Sequence, residues 1–266
     1  MKIKSSSLPI SRNYLRDVRH FCQVQRQKGN LVICGGVSQT LRVDYADQSL
    51  PLPERAMNHF NVSPRDWRLE LISSCNYVAG QALNGLNPKY ISAYYLWRAG
   101  LGFLPSFDDL GVKINNHFGL RRSEKKPDKT DEIYLAFDPK ILKRKIERHI
   151  IADIMLATGG SYGTFIKMLI SLGVKTEQIK LACLIAAPEG IYNLLREFPN
   201  ITIYAGELDS HLDKSAFLYP GLGDAGDKLF SKISLKFFET YRQYFNDDEW
   251  ELLSEKIEQA NPVQVY

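Results

Sequence analysis

An α/β architecture, with a doubly wound and mostly parallel sheet, is the fold class this sequence predicts, and three observations carry the prediction. Apolar runs short enough for buried strands recur at 90–97 (YISAYYLW), 150–154, 179–187 and 200–205 (NITIYA). Apolar residues at helical spacing lie between them, as in Phe165, Ile166, Met168, Leu169, Ile170 and Leu172 ahead of Gly173. Small-residue turns join strand to helix, above all Ala157-Thr158-Gly159-Gly160-Ser161. Strands that alternate with helices form parallel sheets whose ligands sit at the carboxyl ends of the strands.

The chain has 266 residues, long enough for one large domain with appendages. Its apolar and charged fractions are those of ordinary globular proteins. No apolar run approaches the length of a membrane span, and the N-terminus MKIKSSSLPISRNY has no continuous apolar segment of the kind a secretory signal needs. A cytoplasmic protein is the expectation. The net charge is +4, with basic residues crowded between Arg121 and Arg148. Charge runs of this kind are usually solvated faces; here the paired arginines are read as site residues and the lysines as mostly in water. Cys22, Cys34, Cys75 and Cys183 form no C-x-x-C pair and read as core thiols. The five histidines are scattered and read as structural or surface residues.

In chain order, Ser11 is placed to cap a helix from Arg12 to about Lys28, which Gly29 stops. LVICGG and LRVDYA then read as two strand-like runs about Gly35 and Gly36, a candidate hairpin. Ser63, Pro64 and Asp66 supply a cap, a first-turn proline and a first-turn acid for a helix running towards Leu83. The strand at 90–97 ends in the turn Arg98-Ala99-Gly100-Leu101-Gly102, and a second strand is expected over Lys113–Leu120. Turn chemistry at Pro127 and Asp128 precedes a returning strand at Ile133–Phe137. After the strand ending at Ala187, Pro188 opens a helix to about Phe198, and Glu189 beside it reads as structural. Two helices are expected at 231–245 and 246–259, the second with a capping box from Asn246 to Glu249. Phe237, Phe238, Tyr241 and Tyr244 read as packing residues.

The stretch 149–164, HIIADIMLATGGSYGT, organises the functional reading. Asp153 is a lone acid at the end of an apolar run, where such a group usually faces a ligand or a cation. The turn 157–161 exposes consecutive backbone N–H groups at a helix N-terminus, where the helix dipole favours a phosphate and glycines let its oxygens approach. Thr158 and Ser161 add hydroxyl donors. Such a turn taken alone is as often a mere tight connection. Further along, PGLGDAGD at 220–227 forms a Gly-rich acidic loop.

Five strings in order, LWRAGLG (96–102), GLRRSE (119–124), ADIMLATGGS (152–161), LACLIAAPEGI (181–191) and YPGLGDAGDKLF (219–230), make the chain resemble the uracil phosphoribosyltransferases over roughly 64–230. The resemblance implies a type I phosphoribosyltransferase-like sheet with a β-arm hood and added helical ends. It implies three segments: an N-terminal extension over 1–62 packed on or next to the core, the phosphoribosyltransferase-like domain over 63–230, and a C-terminal helical extension over 231–266. The implied reaction transfers phosphoribose from phosphoribosyl pyrophosphate to uracil, giving UMP and pyrophosphate in pyrimidine salvage. The implied catalytic set is Asp153, Arg98, Arg122 and Asp224. Phosphoribosyl pyrophosphate would be held by Arg98 and Arg122 at its pyrophosphate, by Asp153 and Asp224 at the ribose side, and by Ala157, Thr158, Gly159, Gly160 and Ser161 at the 5′-phosphate. The base would be read by Leu218, Gly223, Asp224 and Ala225, largely through the backbone. Mg2+ is implied through substrate pyrophosphate and ribose oxygens with no all-protein metal cage, and a homodimer or higher homo-oligomer through the hood.

The pattern departs from the family at Ile154, where a proline commonly follows the acid, and at Ser123, which replaces an acid. Residues 1–62 match nothing in it. Two alternatives stand beside the uracil enzyme: a divergent phosphoribosyltransferase-like protein using another base, and a non-catalytic nucleotide-binding regulator. A nucleic-acid partner is disfavoured, because the basic stretch 121–148 lacks the interleaved aromatics of a single-strand platform. A separate interaction module in 1–62 is a third reading.

Overall fold

The computed structural model describes residues 12–42, 64–121, 132–213, 216–223, 225–229, 242 and 246–260. Its centre is a sheet in which β1 (Leu31–Ile33), β2 (Ile91–Trp97), β3 (Ile114–Arg121), β4 (Glu132–Leu135), β5 (Arg148–Ala152), β7 (Ile179–Ala186) and β8 (Thr202–Leu208) lie in the order β1-β8-β7-β5-β2-β3-β4. The short strand β6 (Met155–Leu156) continues the run of β5 and also pairs with β7. All pairings are parallel except β3 with β4, which is antiparallel, so the expected mostly parallel α/β sheet is the one observed.

Alternation along the strands divides the core into two layers. Ala93 and Tyr95 of β2, with Ile150 and Ala152 of β5, face the helix α2 (Pro64–Leu83), which contributes Trp67, Leu71, Cys75, Val78, Ala79 and Ala82. Tyr94 and Leu96 point the other way, towards Phe165, Ile166 and Leu169 of α4 (Gly160–Ser171) and Ile191, Leu194 and Leu195 of α5 (Pro188–Glu197). A short helix, α3 (Leu104–Asp109), packs Phe107 into the first layer. Burying both faces requires strands that are apolar throughout, which is why β7 reads IKLACLIA without a polar alternation.

The N-terminal segment joins this sheet. Helix α1 (Arg12–Gln27) buries Val18 and Cys22 and ends at Gly29, whose φ of 79° is the left-handed value a helix C-terminus favours. Tyr14 and Phe21 meet the Tyr192 ring of α5 edge-on, with centroids 6.4 and 5.0 Å away. Then β1 pairs in parallel with β8, Leu31 opposite Ile203 and Ile33 opposite Ala205. Of the two runs expected to form a hairpin over 31–46, the first is β1, whose partner comes from the far end of the chain, and the second opens at Leu41 and Arg42 inside a turn of 3-10 helix, Gln39–Arg42. Residues 43–46 lie outside the described residues, as does Ser63, the expected cap of α2.

Strands β3 and β4 form the base of the expected arm, with Leu120 opposite Ile133. Residues 122–131, the expected remainder of that arm, lie outside the described residues. At the other end of the sheet, β9 (His211–Leu212) and β10 (Leu218–Tyr219) make a small hairpin leading into α6 (Ala225–Leu229). The last helix, α7 (Asp247–Ala260), begins with the expected capping box: the Asn246 and Glu249 backbone amides each donate to the other residue's side chain, at 2.9 and 2.8 Å. The helix expected at 231–245, with its aromatics, is outside the described residues.

Candidate active site

Three segments meet near the carboxyl edge of the parallel strands: two touch through their backbones, and the third packs on them through apolar side chains. The first is the turn after β5. Asp153 follows the last residue of the strand; its N–H donates to Ala182 O at 3.1 Å, and its Oδ1 accepts from the Ile154 amide at 2.7 Å. That bond holds the carboxylate against its own backbone. Beneath it, the buried Tyr162 hydroxyl donates to Ala182 O at 3.0 Å. Burial, together with the neighbouring Cys183 and Asp153, raises the Tyr162 pKa well above its usual value, and burial likewise raises that of Cys183. Both therefore remain neutral at physiological pH.

From Asp153 the chain runs through β6 to Ala157 and turns into α4. Gly159 precedes the helix with φ 84°, a conformation that costs L-residues a Cβ clash and glycine nothing. The Thr158 hydroxyl accepts from Gly160 N at 3.3 Å, and the Thr158 carbonyl is held by Asn193 Nδ2 at 3.0 Å. The first amides of α4 have no acceptor within their own helix, so they are directed out of its N-terminus. Helix α5 supports this turn at a separation only glycine permits: a Cβ on Gly190 would lie 2.1 Å from Ala157 O. Ala157, Thr158, Gly159, Gly160 and Ser161 thus lie at the N-terminus of a 12-residue helix, where the helix dipole favours negative charge.

The second segment follows β2. Arg98 is exposed and begins a 3-10 turn, Ala99–Phe103, in which the Leu101 amide donates to Arg98 O at 3.2 Å. A Cβ on Gly100 would lie 2.5 Å from Ala152 O, and one on Gly102 would lie 3.0 Å from Ile154 Cδ1. The loop that begins at Arg98 is therefore pressed against the residues on either side of Asp153, which brings an arginine and a carboxylate to neighbouring strand ends.

The third segment is the loop after β10. Leu218, Leu222 and Ala225 are buried in the same apolar cluster as Phe103 and Ile154, with Ala99, Leu101 and Ala157 packed against it. Gly221 and Gly223 have φ 69° and 73°. Leu218, Gly223 and Ala225 therefore stand beside the other two segments. Arg122 and Asp224 lie outside the described residues.

Several contributors act by fitting or fastening the backbone of the site: Gly100 and Gly190 lie within the strings LWRAGLG and LACLIAAPEGI, whereas Tyr162 and Asn193 lie outside the five strings. Asp209, after β8, has a signal that could have found it, since like Asp153 it follows an apolar strand run. Its side chain is wholly buried and accepts from the Gly221 amide at 2.8 Å.

For magnesium, the relevant donor is the Asp153 carboxylate at the strand end. One carboxylate with substrate and water oxygens is a donor set that fits this cation, and no group of three or more His, Cys, Asp or Glu that could hold a metal occurs among the described residues. No helix among the described residues is long and apolar enough to cross a membrane.

The family model for uracil phosphoribosyltransferase matches residues 61–231. A uracil phosphoribosyltransferase of Limosilactobacillus reuteri is 35% identical over 168 residues, spanning 62% of this chain and 77% of that one. That of Clostridium tetani is 37% identical over the same shares, and that of an Exiguobacterium species is 39% identical over 60% of this chain and 70% of its own. Among solved structures, the AQ2163 protein from Aquifex aeolicus aligns with a TM-score of 0.54 and 27% identity, over 68% of this chain and 94% of that one.

Proposed function

The chain belongs to the uracil phosphoribosyltransferase family, and from that premise we propose that it transfers the phosphoribosyl group of phosphoribosyl pyrophosphate to uracil, forming UMP and pyrophosphate. The observation that carries the proposal is the packing of the Arg98 turn against the end of β5 beside Asp153, through a contact that Gly100 allows, with the 157–161 turn next along the chain and seated on α5 through Gly190. Membership of the family favours a transferase over a non-catalytic regulator.

In the reaction the bond from the anomeric carbon to the pyrophosphate oxygen breaks, the bond from that carbon to uracil N1 forms, and the N1 proton is released. Positive charge grows on the ribose while negative charge collects on the leaving group, and fixed protein charges at both ends lower the barrier. Ala157 to Ser161 hold the 5′-phosphate through the amides of the α4 N-terminus and the Thr158 and Ser161 hydroxyls. Asp153 orients the ribose hydroxyls, and its negative charge favours the developing positive charge. Arg98, with Arg122 from the arm, takes the pyrophosphate, and Asp224 completes the ribose side. The base is read by Leu218, Gly223, Asp224 and Ala225, mainly by backbone groups whose positions the loop conformation sets. A magnesium ion carried on the substrate's pyrophosphate and ribose oxygens, with Asp153 as the nearby carboxylate, would supply charge neutralisation to the leaving group.

We assign this chemistry to residues 63–230, with 1–62 and 231–266 as additions to it, in a cytoplasmic homo-oligomer formed through the arm. Release of pyrophosphate from phosphoribosyl pyrophosphate, measured with uracil, cytosine and purines in turn, tests the proposal. Uracil-dependent release that falls on the order of 100-fold in Asp153→Asn is expected, with the fold retained because an amide oxygen can still accept from Ile154 N. Release with a different base, or undiminished release in the variant, would refute it.

A further inference from the structure

Arg42 stands in the N-terminal segment, outside the residues that match the family, yet it is 95% buried and its guanidinium is shared between two acids of the sheet. One terminal nitrogen binds Glu207 at the end of β8, and the other binds Oδ1 of Asp209. Asp209 is itself anchored to the sheet, since its N–H donates to Ala186 O at 2.8 Å. Its second oxygen, Oδ2, accepts the Gly221 amide at 2.8 Å. The chain of contacts therefore runs from the N-terminal segment, through one buried carboxylate, to the loop 220–223. The same loop passes close to the hairpin that leads into it: a Cβ on Gly221 would lie 2.6 Å from Leu218 O, and Ser210 N donates to Tyr219 O at 3.0 Å.

We infer that Arg42 is a positioning residue for the base pocket, setting the loop 218–223 through Asp209 so that its backbone groups present a fixed pattern to the pyrimidine. The inference rests on the reading of 218–225 as the base-binding element. Its physical content is in the geometry. A carboxylate between a guanidinium and an amide has both oxygens engaged and one orientation. Without the guanidinium, Asp209 faces Glu207, a like charge, and turns or takes up a proton, and the Gly221 amide loses its fixed acceptor. The segment around Arg42 is built to hold it there: Val37 packs over Gly206, Ser38 N donates to Ser74 Oγ at 3.0 Å, and Leu41 is buried. Arg19 of α1 adds a second tie, donating to Ser210 O and Oγ at 3.0 and 3.1 Å. The bridge is specific to arginine, because a lysine is a single point charge and cannot serve both acids in this fork.

The test compares the full-length chain with Arg42→Ala and Arg42→Lys, reading kcat and the KM of each substrate, and hydrogen exchange at the amides of 217–222. A positioning role predicts a rise in the KM for uracil on the order of tenfold in Arg42→Ala, an unchanged KM for phosphoribosyl pyrophosphate, faster exchange at Gly221, and partial recovery in Arg42→Lys. A merely structural role lowers the active fraction, and so kcat, with both KM values unaltered; that result, or unchanged exchange at Gly221, overturns the inference. Should the unaltered protein release no pyrophosphate with uracil, the proposed function fails by itself, and exchange at Gly221 still decides whether Arg42 governs the loop.

Discussion

Replacing Gly190 with alanine gives a sharp test of how the phosphate turn is held. In the interior of a helix this change ordinarily stabilises, by about 1 kcal/mol, because alanine is the better helix former. Here the new Cβ would be 2.1 Å from Ala157 O, 3.0 Å from Ala157 C and 3.3 Å from Leu156 O. An ordinary C···O approach is about 3.3 Å or more, so α5 and the turn must part by about 1 Å. The obstacle is backbone belonging to β6 and its exit, which no rotamer change can clear. Overpacking of this kind costs ~1–3 kcal/mol, outweighing the gain in propensity and lowering the melting temperature by about 2–4 °C for each kcal/mol lost. Function should suffer more than stability, since an ångström of displacement at a binding element can cost on the order of 100-fold. Initial rates with each substrate varied in turn should show Gly190→Ala raising the KM for phosphoribosyl pyrophosphate far more than that for uracil. A variant with an unchanged KM for phosphoribosyl pyrophosphate and an unchanged melting temperature would refute the argument that helix–turn contact holds this site.

Gly100→Ala puts a Cβ 2.5 Å from Ala152 O, so the turn carrying Arg98 must lift from the β5 end; kcat for pyrophosphate release should fall on the order of tenfold or more, and an undiminished kcat would sink the placement of Arg98. His149, buried beside the Tyr94 hydroxyl at 3.0 Å, has its pKa lowered by burial from 6.5 to about 4. Because the unfolded chain takes up this proton first, the stability that the neutral ring contributes is complete above pH 6.5 and is lost as pH falls towards 4, by about 3 kcal/mol in all. Urea midpoints from pH 8 to 4.5 should fall more steeply in the parent protein than in His149→Gln, and parallel curves would contradict this.

The legibility of the fold varied with how local its cause was. The extents of β2, β7, α4 and α5 could be read within a residue or two, because each is a short apolar or periodic run with its own stop at a glycine, a proline or a strand end. The capping box at Asn246 was equally plain, since it needs only residues three apart. The parallel partner of β1 was not legible for the opposite reason. A three-residue strand such as LVI carries no record of its partner, and the edge it joins belongs to β8, some 170 positions later.

Asp153, the 157–161 turn and the Arg98 turn were legible because their chemistry lies in residue type at a strand end: a carboxylate, consecutive amides, a guanidinium. What residue type could not convey is the distance between those ends. That was decided by missing side chains, at Gly100 and Gly190, which let backbone meet backbone across segments far apart in sequence. Arg42 is the extreme case. By itself it is one arginine among many in a stretch without a motif, and only the closing of β1 onto β8 carries it to Glu207 and Asp209. The sequence by itself therefore determined the parallel α/β class and the chemical groups of the site, since both follow from local pattern. The tertiary structure alone decided how those groups are spaced and which distant residue reaches the loop 220–223 through Asp209, because spacing depends on contacts between segments that no local pattern records.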